Sequence, residues 1–146
     1  MDFSLDSKYI DIQARTIELC KSIEHLAIEA DDSTTIHPEI REALQTSGLT
    51  ELMVPAAFGG VYDKVDPLAI CVAREVMMPT CSHLDSLFAM QGIGSYGISV
   101  AGSDEQQQHW LPRVANAEVI PALAITEQDA GSDIRAVTTE IVAAAD

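Results

Sequence analysis

"AGSDEQQQHWLPRVANAEVIPALAITEQDAGSD", residues 101–133, holds the change of pattern on which the fold turns. Its first third reads as a helix. Ser103 followed by Gln106 fits a capping box, in which the serine oxygen takes the N–H three residues on and the glutamine side chain returns to the cap. Pro112 should kink or shorten that helix, because proline has no N–H and its ring meets the carbonyl one turn back. Beyond "ANAE" the helical spacing is gone. "EVIPALAIT" (118–126) and "RAVTTEIVAAAD" (135–146) are rich in alanine, valine, isoleucine and threonine. They read as two strands flanking an acidic loop.

Upstream, apolar residues recur at helical spacing. Ile12, Leu19, Ile23, Leu26 and Ala30 form one side of a first amphipathic helix, with Glu18, Lys21, Glu24 and Glu29 opposite. "EADDSTTIH" interrupts it. Pro38 suits the first turn of a second helix carrying Ile40, Ala43 and Leu44 inward and ending at Gly48. Gly59-Gly60 closes "ELMVPAAFGG" and predicts a loop with positive backbone angles. Asp66-Pro67 starts a third helix that stops by Pro79. Ser82 with Asp85 resembles another capping box, opening a helix through "LDSLFAMQGIGSYGISVAG". Gly92, Gly94 and Gly97 weaken that helix and predict close approach of a backbone or a ligand.

The 146 residues are 47% hydrophobic, enough for one core. Eight lysines and arginines stand against 23 aspartates and glutamates, a formal charge of −15. Phosphate backbones and anionic lipids need clustered cations, so nucleic-acid binding is excluded. No run reaches the roughly 18 apolar residues of a membrane span. The acidic start "MDFSLDSKYIDIQ" lacks the features of a secretion signal, so a cytoplasmic protein is expected. Cys20, Cys71 and Cys81 sit among apolar neighbours without metal spacing and read as buried, reduced thiols. His83 with Asp85 is too small a set for a metal, and His109 beside Trp110 reads as a packed helix end.

The acidic loop carries the chemistry. Thr126 offers a hydroxyl and "AGSD" offers N–H groups in a turn where glycine allows close approach. Glu127, Asp129 and Asp133 would oppose a pyrophosphate, so a neutral hydrogen-bonding edge such as a heteroaromatic ring fits better. The residues alone equally allow a solvated turn capped by Ser132 or Asp133. Dinucleotide, P-loop and nucleophile-elbow motifs are absent.

Together, "VPAAFGG" (54–60), the 101–133 stretch and "VTTE" (137–140) resemble the N-terminal half of an acyl-CoA dehydrogenase, the FAD-dependent family that oxidises acyl-CoA thioesters. The similarity runs from the second helix to the last residue. It implies a mainly α fold, with a helical N-terminal domain over 1–119 and the first strands of a middle β domain over 120–146. By the same resemblance Leu123, Ile125 and Thr126 lie along the flavin ring, while Gly131 and Ser132 approach flavin or substrate. Phe88, Gln91 and Gly92, in "LFAMQGIGS", would line the acyl pocket, although ordinary helix packing accounts for each of them as well. Gln128 replaces the family's usual proline, and Leu123 stands where several members carry an aromatic residue.

The family's catalytic carboxylate lies on later helices, so no catalytic residue is assigned here; Glu127 and Asp133 belong to the loop. The expected function is that of the N-terminal part of an acyl-CoA dehydrogenase, performing α,β-dehydrogenation of an acyl-CoA but inactive as this chain alone. The alternative is a non-catalytic subunit or interaction domain that completes a flavin site only with a partner chain. Expected partners are an acyl-CoA, further copies or a chain supplying the missing domains, and an electron-accepting flavoprotein.

Overall fold

The computed structural model describes residues 4–142. Six α-helices carry the chain: α1 (Ser7–Ile23), α2 (Ala27–Asp32), α3 (Pro38–Ser47), α4 (Pro67–Thr80), α5 (Ser82–Ala101) and α6 (Asp104–Ala115). The expected first helix is two, because a 3-10 turn at Glu24–Leu26 breaks it. Its apolar side is the expected one, with Ile12, Leu19, Ile23 and Ala30 all buried.

Local signals place the ends of several helices. Asp66 accepts from the Leu68 N–H at 3.1 Å and Pro67 fills the first position of α4. Gly48 closes α3 at φ 67°, in the left-handed region where a Cβ is disfavoured. The Ser103 and Gln106 capping box of α6 forms in full. Lys8 of α1 reaches Asp66 at 2.9 Å, and that hydrogen bond, with others from Tyr9 and Leu68, holds the carboxyl below its usual range.

Other expectations are corrected. α5 begins one residue earlier than the capping box implies: its cap is Cys81, whose sulfur lies 3.4 Å from the Leu84 N–H. Ser82 is already helical. Asp31 of α2 supplies the missing acceptor from outside, taking the N–H groups of His83 at 2.7 Å and Ser82 at 3.2 Å. Pro112 does not end α6, which runs on to Ala115. Pro79 likewise sits inside the last turn of α4. Cys20 and Cys81 are buried as expected, with burial pushing both thiols up, but Cys71 is exposed on the outer side of α4. His109 is exposed and Trp110 half exposed, with Arg113 over its ring, so the pair does not close a packed end.

Neither expected strand forms among the described residues; the last four residues of "RAVTTEIVAAAD" lie outside them. The segment 120–127 has strand-like composition but no ladder partner, and a strand exists only through its neighbour. The one β-bridge among the described residues joins Pro55 to Tyr62 and folds the "VPAAFGG" loop back on itself. Gly60 is obligatory there, since a Cβ would fall 1.7 Å from the Val54 carbonyl oxygen.

α1 packs on α4 and α3, and α5 packs on α4, α3 and α6. Their shared core includes Ile12, Leu19, Ile40, Leu44, Met77 and Phe88. A second, smaller cluster of Val54, Leu111, Val114 and Ala115 attaches α6. Thr50 links it to the body by donating 2.6 Å to the Ala115 carbonyl. Just beyond, Ala117 takes φ 49° and turns the chain out of α6, while Arg41 donates to the Glu118 carbonyl at 3.1 Å. Among the described residues no helix is long and apolar enough to cross a membrane.

Candidate functional site

α5 organises the site by presenting different residues on its different sides. Leu84, Phe88, Gln91 and Ser95 are spaced three and four apart and all are buried. The Ser95 hydroxyl donates back to the Gln91 carbonyl. Gln91 is fully buried, yet neither its amide nitrogen nor its amide oxygen has a hydrogen-bond partner among the described residues.

Its glycines permit two close approaches. A Cβ on Gly92 would lie 2.8 Å from the Met53 sulfur, and one on Gly94 would lie 2.6 Å from the Pro121 carbonyl carbon. Gly92 meets a side chain and Gly97 faces open space, so the expected close approach of a backbone is found at Gly94 alone. Through Gly94 the helix meets the first residues of the expected flavin-facing segment.

Beside α5 lies a cavity of about 400 Å³, open to solvent on one side, whose walls include Met53, Ile70, Arg74, Gly92, Ile93 and Tyr96. The walls are almost wholly apolar, with Arg74 as their one charged member. Its guanidinium grips Asp85 in a two-point ion pair, Nε to Oδ1 at 2.9 Å and Nη2 to Oδ2 at 2.7 Å. The Asp85 side chain is only 4% exposed, whereas that of Arg74 is 46% exposed. Burial of a carboxylate is tolerated here because the pairing is bidentate.

The segment 120–126, which follows α6, passes α5 at Gly94 and runs across the surface, with Leu123 54% and Ile125 41% exposed. The acidic loop that follows closes on itself. Glu127 and Ala130 exchange backbone hydrogen bonds at 2.9 and 3.4 Å, and Ala130 is buried beneath them. The Glu127 carboxylate then spans the loop. It accepts from the hydroxyl and N–H of Thr139 and from the N–H and hydroxyl of Thr138, the last two at 2.9 Å each. These donors, the Thr139 hydroxyl first, pull its pKa down to about 2. Asp133 caps the 3-10 turn Ile134–Ala136 through the Arg135 N–H at 3.1 Å.

Two of the three loop carboxylates are therefore engaged within the loop. Leu123, Ile125, Thr126, Gly131 and Ser132 all lie exposed along one continuous stretch. Phe88 and Gln91 point into the helical core, while Gly92 borders the cavity. His83 accepts the His37 N–H on its Nε2 at 3.1 Å. Sequence reading missed the pairing of Arg74 with Asp85. The available signal was a cation set within the apolar run "LAICVAREVMM" of a chain with only eight lysines and arginines.

The family profile described as "Acyl-CoA dehydrogenase, N-terminal domain" matches residues 12–118. Cyclohexane-1-carbonyl-CoA dehydrogenase of Syntrophus aciditrophicus is 32% identical over 120 residues, covering 82% of this chain and 31% of the relative. "Probable acyl-CoA dehydrogenase fadE25" of Mycobacterium leprae is 27% identical over 145 residues, covering 99% of this chain and 37% of the relative. (2S)-methylsuccinyl-CoA dehydrogenase of Cereibacter sphaeroides is 32% identical over 104 residues, covering 71% of this chain and 19% of the relative. The chain thus spans at most 37% of the length of these relatives.

Proposed function

The chain belongs to the acyl-CoA dehydrogenase family through its N-terminal domain, and from that membership we propose that it forms part of an FAD-dependent site for α,β-dehydrogenation of an acyl-CoA. The observation that carries the reading is the state of residues 120–126. Their N–H groups make no backbone hydrogen bond within the described chain, and Leu123 and Ile125 expose apolar side chains beside the Thr126 hydroxyl. Unpaired donors next to an apolar surface suit the edge and face of a planar heteroaromatic ring.

Leu123, Ile125 and Thr126 would hold the flavin ring, and Gly131 and Ser132 would approach flavin or thioester. The glycine favours that role because a Cβ there would meet nothing within 4 Å, leaving its backbone open to a ligand. Glu127 keeps its carboxylate turned into its own loop, which removes one negative charge from the ligand side. Gly92 would bound the acyl group directly, with Phe88 and Gln91 packed in the core behind it. Bound FAD would supply the acceptor for the hydride lost from the β carbon, and an electron-accepting flavoprotein would receive the electrons in turn.

In this reading 1–119 is the helical domain and 120–146 the start of a β domain. No residue of the chain is assigned as the base, so the chain alone should not oxidise an acyl-CoA. Spectroscopic titration with FAD tests the proposal: saturable binding, weakened by Ile125→Asp, is expected, and an unperturbed flavin spectrum with and without partner polypeptides would refute it. A second reading, a subunit completed by a partner chain, draws on the same unpaired backbone. Native mass spectrometry from the host separates the two by showing FAD on one polypeptide or across two.

A further inference from the structure

An ion pair in the wall of an apolar cavity needs a reason. Asp85 is buried and uses both oxygens on Arg74, so the guanidinium is held in one orientation by two hydrogen bonds. That grip occupies Nε and one hydrogen of Nη2. Nη1 has no hydrogen-bond partner among the described residues, although Arg74 lines the cavity. A charged donor held in one orientation beside apolar surface favours a ligand that offers it an acceptor over one of the same shape that does not.

The charge decides what kind of acceptor fits. Asp85 already balances Arg74 in full. A carboxylate arriving at the same wall would be a second anion on one cation, against apolar surface and in a chain of net charge −15. A neutral carbonyl or hydroxyl oxygen takes the free N–H without that cost.

We propose that the cavity binds a compact apolar group bearing a neutral oxygen acceptor, and that Arg74, positioned by Asp85, reads that oxygen through Nη1. Resting on the acyl-CoA dehydrogenase reading, the group is the acyl part of the thioester, with the oxygen remote from the sulfur. Met53 sets the cavity's inner limit, since it already crowds Gly92.

The test uses the chain itself and three matched six-carbon-ring probes: cyclohexanone, methylenecyclohexane and cyclohexanecarboxylate. Methyl shifts of Met53, Ile70 and Ile93 are followed by NMR during titration. Cyclohexanone should bind about tenfold more tightly than methylenecyclohexane, the scale of one hydrogen bond to a charged group. In Arg74→Met/Asp85→Leu, which replaces the pair by apolar groups of similar size, the two should bind alike while the methyl shifts persist. Equal binding to the natural chain, a preference for the carboxylate, a preference surviving in the double variant, or no shift with any probe would each overturn the proposal. None of these outcomes bears on FAD binding at 120–132, which the flavin titration reads separately.

Discussion

Gly94 stands so close to Pro121 that α5 and the segment 120–126 meet backbone to backbone, with no room for a Cβ between them. Gly94→Ala should therefore lift the segment from the helix while leaving the helix formed. Faster hydrogen exchange or proteolysis at 120–126, without loss of helical circular dichroism, is the expected result. Gly97→Ala supplies the control. With nothing within 4 Å of its Cβ, it should only gain helix propensity, about 0.5–1 kcal/mol in urea unfolding. Equal behaviour of the two variants would show that the contact at Gly94 is unimportant.

Removing one partner of the pair at α4 and α5 should cost more than removing both. Arg74→Met leaves a buried carboxylate without its cation, at about 2–4 kcal/mol, and Asp85→Asn loses less because the amide oxygen still accepts. Arg74→Met/Asp85→Leu should recover most of the loss. Urea midpoints for the three variants check the order, and additive losses would contradict it.

The Glu127 clasp should be acid-labile. Its pKa lies below the usual 4.5, so its contribution is complete above that value and disappears as the pH falls from 4.5 through about 2. The Thr138 and Thr139 amide resonances should hold their positions down to about pH 4 and then move together as the carboxyl protonates, following the pKa of about 2. Glu127→Gln, with one accepting and one donating end, should show the opened positions already at neutral pH. Amides that titrate with an ordinary glutamate midpoint would show that the clasp does not form.

Gln91 tests whether a buried amide has been kept at a stability cost. With no partner for either polar atom among the described residues, replacement by leucine of similar volume should stabilise the chain by about 1–2 kcal/mol. Thermal and urea unfolding measure it. Destabilisation would mean that the amide is satisfied in solution and contributes to the fold.

Sequence reading succeeded where the determinant is local. Asp66-Pro67, Gly48 and the Ser103 and Gln106 box each act within four residues, and each closes or opens a helix where its chemistry dictates. It failed where the determinant arrives from elsewhere. The start of α5 depends on Asp31, some fifty residues earlier in the chain, and the cap therefore falls at Cys81 and not at Ser82. Residues 118–126 have strand composition, but composition supplies no partner for their N–H groups. Pro112 stands inside α6, which tertiary packing of Leu111, Val114 and Ala115 carries three residues past it. In the candidate site the exposed loop was legible from its motif, whereas the pair of Arg74 and Asp85 joins two helices and its one sign along the chain is a cation inside an apolar run.

The division of the interior into a large cluster and a small one has a consequence for how the molecule opens. α6 is anchored mainly by four buried side chains, the Thr50 hydroxyl and contacts with α5, while the other helices share the larger cluster. Buried contacts define the cooperative units of a fold, so α6 with the residues that follow it should open as a unit distinct from the helices that share the larger cluster. A ligand held by 120–132 would act on that equilibrium, and its occupancy would be recorded as slowed amide exchange along α6, a helix it never touches.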